Sequence, residues 1–354
     1  MEEREQVLLD IHGVATELVE ETPEFVLEKR RELQQCLLQS NTAGQAAYSM
    51  ALRQNAAYVQ SPEFQLPFLR CEQWNAEAAA EKILAFFEIK VKLFGIDKLG
   101  KPHITVSDLT KHDRKTLESG FFQLLPVRDV AGRALLVPMP TVRYDGPIDT
   151  LMRAFFYMIM VAIQDVETQR KGLLMIGVNV GPNRLIDRKL PWNVHKVRQA
   201  LPVRIMGIHY CYDDVRMMPM LTIGMLVSNA ATRVRFRAHY GSISDSIYTL
   251  TTFGIPDQCL PVTDDGEPKI KAFRAWLKSR KKQEDSGDDL SKVVVIPGRV
   301  DVLLGRGKPI QEHFGNLRYH VLLDHYQQAY EDAKKFEKMQ VAQKVVDIVR
   351  EYNG

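Results

Sequence analysis

Little in this chain points to cross-links, metals or membrane spans. The 354 residues hold four cysteines, Cys36, Cys71, Cys211 and Cys259, with no Cys-x-x-Cys pair. That scatter argues against a zinc site and against a disulfide framework. No Asn-x-Ser/Thr acceptor occurs. The longest apolar run, Ala154 to Ile163, falls well short of the roughly 20 residues a bilayer span needs. Met1-Glu-Glu-Arg-Glu is acidic and lacks the apolar segment of a signal peptide. Net charge is also scarce. At +3, composition gives no reason to expect a nucleic-acid partner. The expectation is a cytoplasmic protein with, at most, peripheral membrane contact.

Catalytic patterns are missing as well. No Gly-x-Ser-x-Gly elbow is present. Gly305-Arg-Gly-Lys-Pro lacks the spacing of a phosphate loop and reads as a turn. Asp213 and Asp214 are adjacent and suit helix capping better than acid–base work. No enzyme activity, cofactor or metal is expected.

What is present is a globular composition, 45% hydrophobic and 26% charged, with length for about two domains. Residues 1–117 read as helical. Val7, Leu8, Ile11, Val14, Ala15, Leu18 and Val19 fall at helical spacing, and Thr22-Pro23-Glu24 starts a second helix. A third candidate runs from Ala43 to Val59. Asn75 caps a further helix whose buried face is Ala79, Ile83, Phe86, Phe87 and Leu93.

From 118 to 268 strands alternate with helices, the signature of an α/β domain. Phe121–Val127 and Arg133–Met139 flank the turn Asp129–Gly132 as a hairpin. Thr150–Gln169 reads as one helix, apolar all round its first half and hence buried or lining a cavity. Gly172–Asn179 and Pro202–Tyr212 read as buried strands, with a basic loop and helix, Asn183–Gln199, between them. Behind Asp213 and Asp214 comes a Met-rich helix, and Thr232–Gly241 alternates at period two like a strand. Residues 269–292 read as a charged linker. Residues 293–354 read as a small unit of strand (Val293–Ile296), glycine loop (Asp301–Ile310) and helix (Asn316–Arg350).

Several of these segments together resemble the CRAL-TRIO lipid-binding family, the carriers of phosphatidylinositol, tocopherol and retinaldehyde. Phe68-Leu69-Arg70 with Trp74 and Ala78-Ala79-Ala80 match its N-terminal part, over about 64–95. Val203–Asp213 corresponds to its core strand, Asp214–Ser228 to its helical gate, Arg233–Gly241 to its basic strand, and Cys259-Leu260-Pro261 with Gly266 to its closing motif. The likeness spans about 64–268. It departs where the family has Asn-Ala-Pro and this chain has Cys211-Tyr212-Asp213. Gly224 stands where the phosphatidylinositol carriers place a gate lysine, so their headgroup chemistry is not implied. Separately, Asp301-Val-Leu-Leu-Gly-Arg-Gly-Lys-Pro and His313-Phe-Gly-Asn-Leu-Arg-Tyr resemble a small domain of unknown function known from diatom proteins. That pattern usually runs on past the equivalent of Gly354, so the domain is expected to be truncated.

The resemblance implies a fold: an N-terminal helical layer, a mixed sheet with helices, and a helical gate over an apolar cavity. Ten of the thirteen methionines lie between Met139 and Met225. Being unbranched and polarisable, methionine suits a wall that adapts to apolar ligands. Expected cavity residues are Phe155, Phe156, Met160, Met175, Ile176, Val178, Ile205, Ile208, Tyr210, Met217, Met220, Leu221 and Met225. Arg233, Arg235 and Arg237 would share one strand face. Arg235, Arg237, His239, Lys196 and Arg198 are the expected contacts to a headgroup or membrane surface. The expected partners are a lipid or other hydrophobic ligand, a transient membrane surface, and a protein docked by the C-terminal domain; nucleic acid is not expected.

Overall fold

Thr22 begins the first helix as its sequence predicts. Its hydroxyl accepts from Phe25 N–H at 3.3 Å, and Pro23 occupies the first turn, where a missing N–H costs nothing. The computed structural model describes residues 12, 18–40, 44–142, 146–181, 190–227, 230–257, 260–287, 290, 293–305 and 308–351. Most of the Val7–Val19 stripe lies outside the described residues, and Leu18 and Val19 are exposed and not helical.

Four helices make the N-terminal layer: α1 (Pro23–Gln39), α2 (Gly44–Val59), α3 (Pro62–Cys71) and α4 (Ala76–Phe94). Asn75 caps α4, accepting from Ala78 N–H at 3.0 Å. The expected face of α4 is buried, and Phe86 and Phe87 join Phe64 and Phe68 with ring centroids 5.1 to 5.7 Å apart. Such ring pairs each add about 0.5–1.5 kcal/mol beyond their burial. Arg70, in the Phe-Leu-Arg segment, is a brace. It meets Glu21 at 2.5 Å and also bonds Gln169.

After α5 (Lys111–Glu118) comes the sheet. Strands β1 (Phe122–Arg128) and β2 (Ala134–Pro138) flank a turn built by Asp129, whose Oδ1 accepts from Ala131 and Arg133 N–H groups. Gly132 sits there at φ +81°, a left-handed conformation that a side chain would strain. The expected long helix is two: α6 (Ile148–Ala162) and α7 (Val166–Lys171). Asp165 causes the break by capping α7 through Thr168 N–H at 2.7 Å. Then follow β3 (Leu173–Asn179), α8 (Leu190–Ala200), β4 (Ile205–Tyr212), α9 (Met218–Val227), α10 (Ala230–Arg235), β5 (Phe236–Tyr240) and α11 (Ile243–Thr251).

The fold is α/β, with a mixed sheet ordered β1-β2-β3-β4-β5. The pairs β2–β3, β3–β4 and β4–β5 are parallel. Strand order that follows chain order, with crossovers of one hand, puts the crossover helices on one face. Register then sorts the side chains. Met175 lies opposite Ile208, Gly177 opposite Tyr210, and Ile208 opposite Phe236 on that face. Ile176, Val178, His209, Cys211, Arg237 and His239 alternate onto the other.

The expected linker does not exist as such. Residues Lys271–Ser286 form α12, with Phe273, Leu277 and Arg280 buried. Arg280 and Glu284 pair at 2.9 Å with both side chains 2% exposed, and Glu284 also accepts from Tyr157 Oη–H and Val106 N–H, each at 2.8 Å. The charged composition misled because its charges at i and i+4 stack along a helix, two of them inward.

The chain divides into two compact units, residues 1–125 with 129–295, and residues 296–354 with 126–128. The helical region 1–117 thus belongs to the same unit as the sheet. In the smaller unit come α13 (Lys308–Gln311), α14 (Phe314–Asp332) and α15 (Lys335–Glu351), so the single expected helix is broken, with Ala333 extended. Val293–Ile296 is not a strand; β-branched residues favour a strand only where a neighbour completes the ladder. The glycine loop is pinned instead by Asn316, whose side chain accepts from Leu303 N–H at 2.6 Å and donates to Leu303 C=O at 2.8 Å.

Candidate ligand cavity

Strands β3 and β4 supply the floor of a cavity of about 200 Å³ in the larger unit. Met175, Gly177, Ile208 and Tyr210 face it, as their shared register requires. Gly177 is needed because a Cβ there would come within 2.7 Å of the Tyr210 ring. Tyr210 is held from its far end by Asn179, whose amide donates to Oη at 3.1 Å. Phe121, Phe122, Pro138 and Pro140 form one side wall, and Leu190 and Val194 of α8 another.

The cover is α9 with α10. Asp214 caps the turn that leads into α9, accepting from Arg216 N–H at 2.9 Å, while Asp213 accepts from Gly181 N–H at 3.1 Å. Asp214 is therefore the helix cap it was expected to be, whereas Asp213 is not and instead ties the strand end to Gly181. Leu221, Gly224 and Met225 face the cavity. The outer side of the same helix exposes Met218, Ile223 and Leu226. A helix apolar on both sides and half uncovered is weakly held by its own packing.

Of the residues expected to line a cavity, the structure gathers Met175, Ile208, Tyr210, Leu221 and Met225, with Arg198. Others go elsewhere. Ile176 and Val178 belong to the opposite sheet face, because consecutive strand residues alternate. Ile205 is not among the lining residues. Phe156 packs on Phe86 and Phe94, Phe155 lies behind Phe122, and Met160 is half-buried on the same helix, so α6 fills core rather than cavity. Met217 is fully buried, with its sulfur 3.8 Å from Asn179 Nδ2. The side chain of Met220 lies outside the described residues.

The three arginines do not share a strand face. Arg233 and Arg235 end α10, and the strand begins only at Phe236. Six residues of alternation fit a short helix as well as a strand, and Ala230-Ala231 tips the balance to helix. Arg237 Nη1 donates to the carbonyls of Val234 and Phe236, both at 2.8 Å. His239 turns to the far face and meets His209, Nε2 to Nδ1 at 3.0 Å. Burial, then the neighbouring His239, brings His209 down to about 3, so the pair is uncharged at neutral pH. Lys196 is exposed and lies over the Trp192 ring at 5.2 Å.

One end of the cavity is polar. Arg198, Arg233, His195 and Thr232 line it. Arg198 Nη2 donates to Thr232 Oγ1 and to His195 Nδ1, both at 2.8 Å. Burial and then the charge of Arg235 bring Arg198 down to about 10, still charged at neutral pH. Burial and Arg198 hold His195 below its ordinary range. Sequence reading named Arg198 as a contact and singled out Arg233, but neither His195 nor Thr232. The available signal concerned Arg198 itself: Leu190, Val194 and Arg198 recur every four residues, which puts Arg198 at the end of an apolar stripe.

Comparison with known families finds one match, to a domain of unknown function (DUF6824) over residues 301–354. The C-terminal likeness read from Asp301 and His313 onward is thereby supported, and no CRAL-TRIO match is found. No curated protein matches the chain. Among the described residues, no helix is long and apolar enough to cross a membrane, and no cluster of His, Cys, Asp or Glu could hold a metal.

Proposed function

We propose that the larger unit binds a hydrophobic small molecule or lipid beneath α9, in the manner of the CRAL-TRIO proteins it resembles, and carries or presents that ligand at membranes. The observation behind this reading is the apolar cavity between one sheet face and a Met-bearing helix that is apolar on its outer side too. Burial of an acyl or isoprenoid chain contributes about 0.8 kcal/mol per methylene, so binding needs no reaction. The outer residues Met218, Ile223 and Leu226 would meet the bilayer as α9 swings away.

Native mass spectrometry of protein purified from a eukaryotic host, and uptake from mixed liposomes, test the reading. Wild type should carry or acquire an apolar ligand. Met225→Asp, which puts a carboxylate against the chain, should lower uptake by about tenfold or more. Protein that is always empty and takes up nothing sinks the proposal.

A second reading, in which the cavity senses a lipid while the smaller unit docks a protein, draws on that unit's own surface. Leu304, Val321, Phe336 and Met339 are exposed there. Isolated exposed apolar residues are ordinary, but these four and five others in so small a unit favour a partner. Removal of residues 296–354 should leave lipid exchange intact and abolish localisation in cells. If localisation is unchanged, the docking role fails.

A further inference from the structure

The cavity is apolar along its floor and cover, yet two cations stand at one end of it. Arg198 and Arg233 both line it, and no Asp or Glu does among the described residues. No carboxylate pairs with either arginine among the described residues. Arg198 is half-buried, and Arg233 in the same lining carries a second positive charge. Like charges gathered at a partly desolvated place are unfavourable until an anion neutralises them.

The hydrogen bonds around Arg198 leave the place ready for one. A guanidinium can only donate, so His195 Nδ1 must be the acceptor, and the imidazole proton resides on Nε2. His195 thus offers a neutral N–H donor beside the Arg198 guanidinium. Guanidinium forks match the paired oxygens of a carboxylate or phosphate. The cavity, at about 200 Å³, is smaller than the roughly 300–1,000 Å³ usual for ligand pockets, which suits one chain rather than two.

Building on the apolar-cavity reading above, we infer that the ligand is a single-chain amphiphile with an anionic head. The chain lies along Met175 and Ile208 under Met225. The oxyanion sits against Arg198, Arg233 and His195. A carboxylate and a phosphate monoester share this chemistry, and the probes below separate them.

The full-length protein is titrated with oleate, oleoyl lysophosphatidate, oleyl alcohol and inorganic phosphate. Trp192 fluorescence is one readout, because its ring stacks 6.1 Å from His195, and native mass spectrometry is the second. At least one of the two anionic probes should bind about tenfold or more tightly than oleyl alcohol, the stronger of them identifying the head. Arg198→Gln with Arg233→Gln should bring that probe to within about twofold of the alcohol, whose own affinity stays put. If the double variant does not fold, Arg233→Gln alone, at an exposed position, should still weaken the anionic probe and spare the alcohol.

Oleyl alcohol binding as tightly as both anions overturns the inference and leaves the apolar-cavity reading standing. Inorganic phosphate displacing the bound anion by itself overturns it too, since the site would then be one for a free ion. Failure of every lipid probe removes the apolar-cavity reading, and this inference with it.

Discussion

Replacing Glu284 by alanine should destabilise the larger unit by about 3–5 kcal/mol, the cost of leaving a buried charge without its partner. Glu284 and Arg280 are each 2% exposed and 2.9 Å apart. The same carboxylate takes hydrogen bonds from the Tyr157 hydroxyl and Val106 N–H. Alanine therefore leaves the buried Arg280 charge with only the Gln164 side chain and removes the acceptor of a phenol and an amide. Urea unfolding followed by circular dichroism measures the loss. The double replacement Arg280→Leu with Glu284→Leu should recover much of it, because apolar side chains of similar size often replace a buried ion pair without net cost. A loss below about 1 kcal/mol for Glu284→Ala would mean that the group is solvated and the network dispensable.

The second large effect is a dependence on pH that Lys90 should impose. Its side chain is buried at 1% exposure, with Nζ donating to the carbonyls of Leu99 at 3.0 Å and Lys101 at 2.6 Å. Burial brings it down from 10.5 to about 7. Between those two values the unfolded chain holds a proton that the folded chain has released. Stability must therefore rise as pH climbs from about 7 towards 10.5, and below 7 the full penalty of a buried charge is felt. The total change is on the order of 5 kcal/mol, because each tenfold loss of proton affinity on folding corresponds to about 1.36 kcal/mol. Unfolding free energies at pH 7 and pH 9.5, for wild type and Lys90→Met, isolate the contribution. The wild type should gain on the methionine variant as pH rises. Parallel curves would show that the amine keeps its proton in the fold.

Much of the architecture was legible because short-range chemistry carried it. Thr22-Pro23 and Asn75 announced their helices, and β3 and β4 were evident as apolar runs. The cavity floor followed for Met175, Ile208 and Tyr210, but the same runs gave no way to choose the face. Ile176 and Val178 are as apolar as their neighbours, and only pairing with β4 assigns them to the far side. The arginine strand failed for a related reason, since six alternating residues do not decide between periods of 2 and 3.6. The supposed linker failed differently. Its charges at 280 and 284 look solvated in sequence, and only Tyr157 and Val106, far away in the chain, make them internal. His195 and Thr232 were missed because a polar cavity end is made by two helices that sequence order keeps apart.

The reach of Glu284 also sets a timetable for synthesis. Its partner Val106 lies 178 residues earlier, and Ser107 bonds Asp285 across the same span. At about 5–20 residues per second, a ribosome needs on the order of 10–30 s to cover that distance. During that interval α5, α6 and the strands between them emerge from the ribosome without α12. Their apolar surface and the Tyr157 hydroxyl stay uncovered, and β2, β3 and β4 still wait on parallel partners that are themselves slow to find one another. The larger unit can close only after the polypeptide has passed residue 286, about four-fifths of the way along the 354 residues, which makes the stretch of translation before that point the period when it most depends on chaperones.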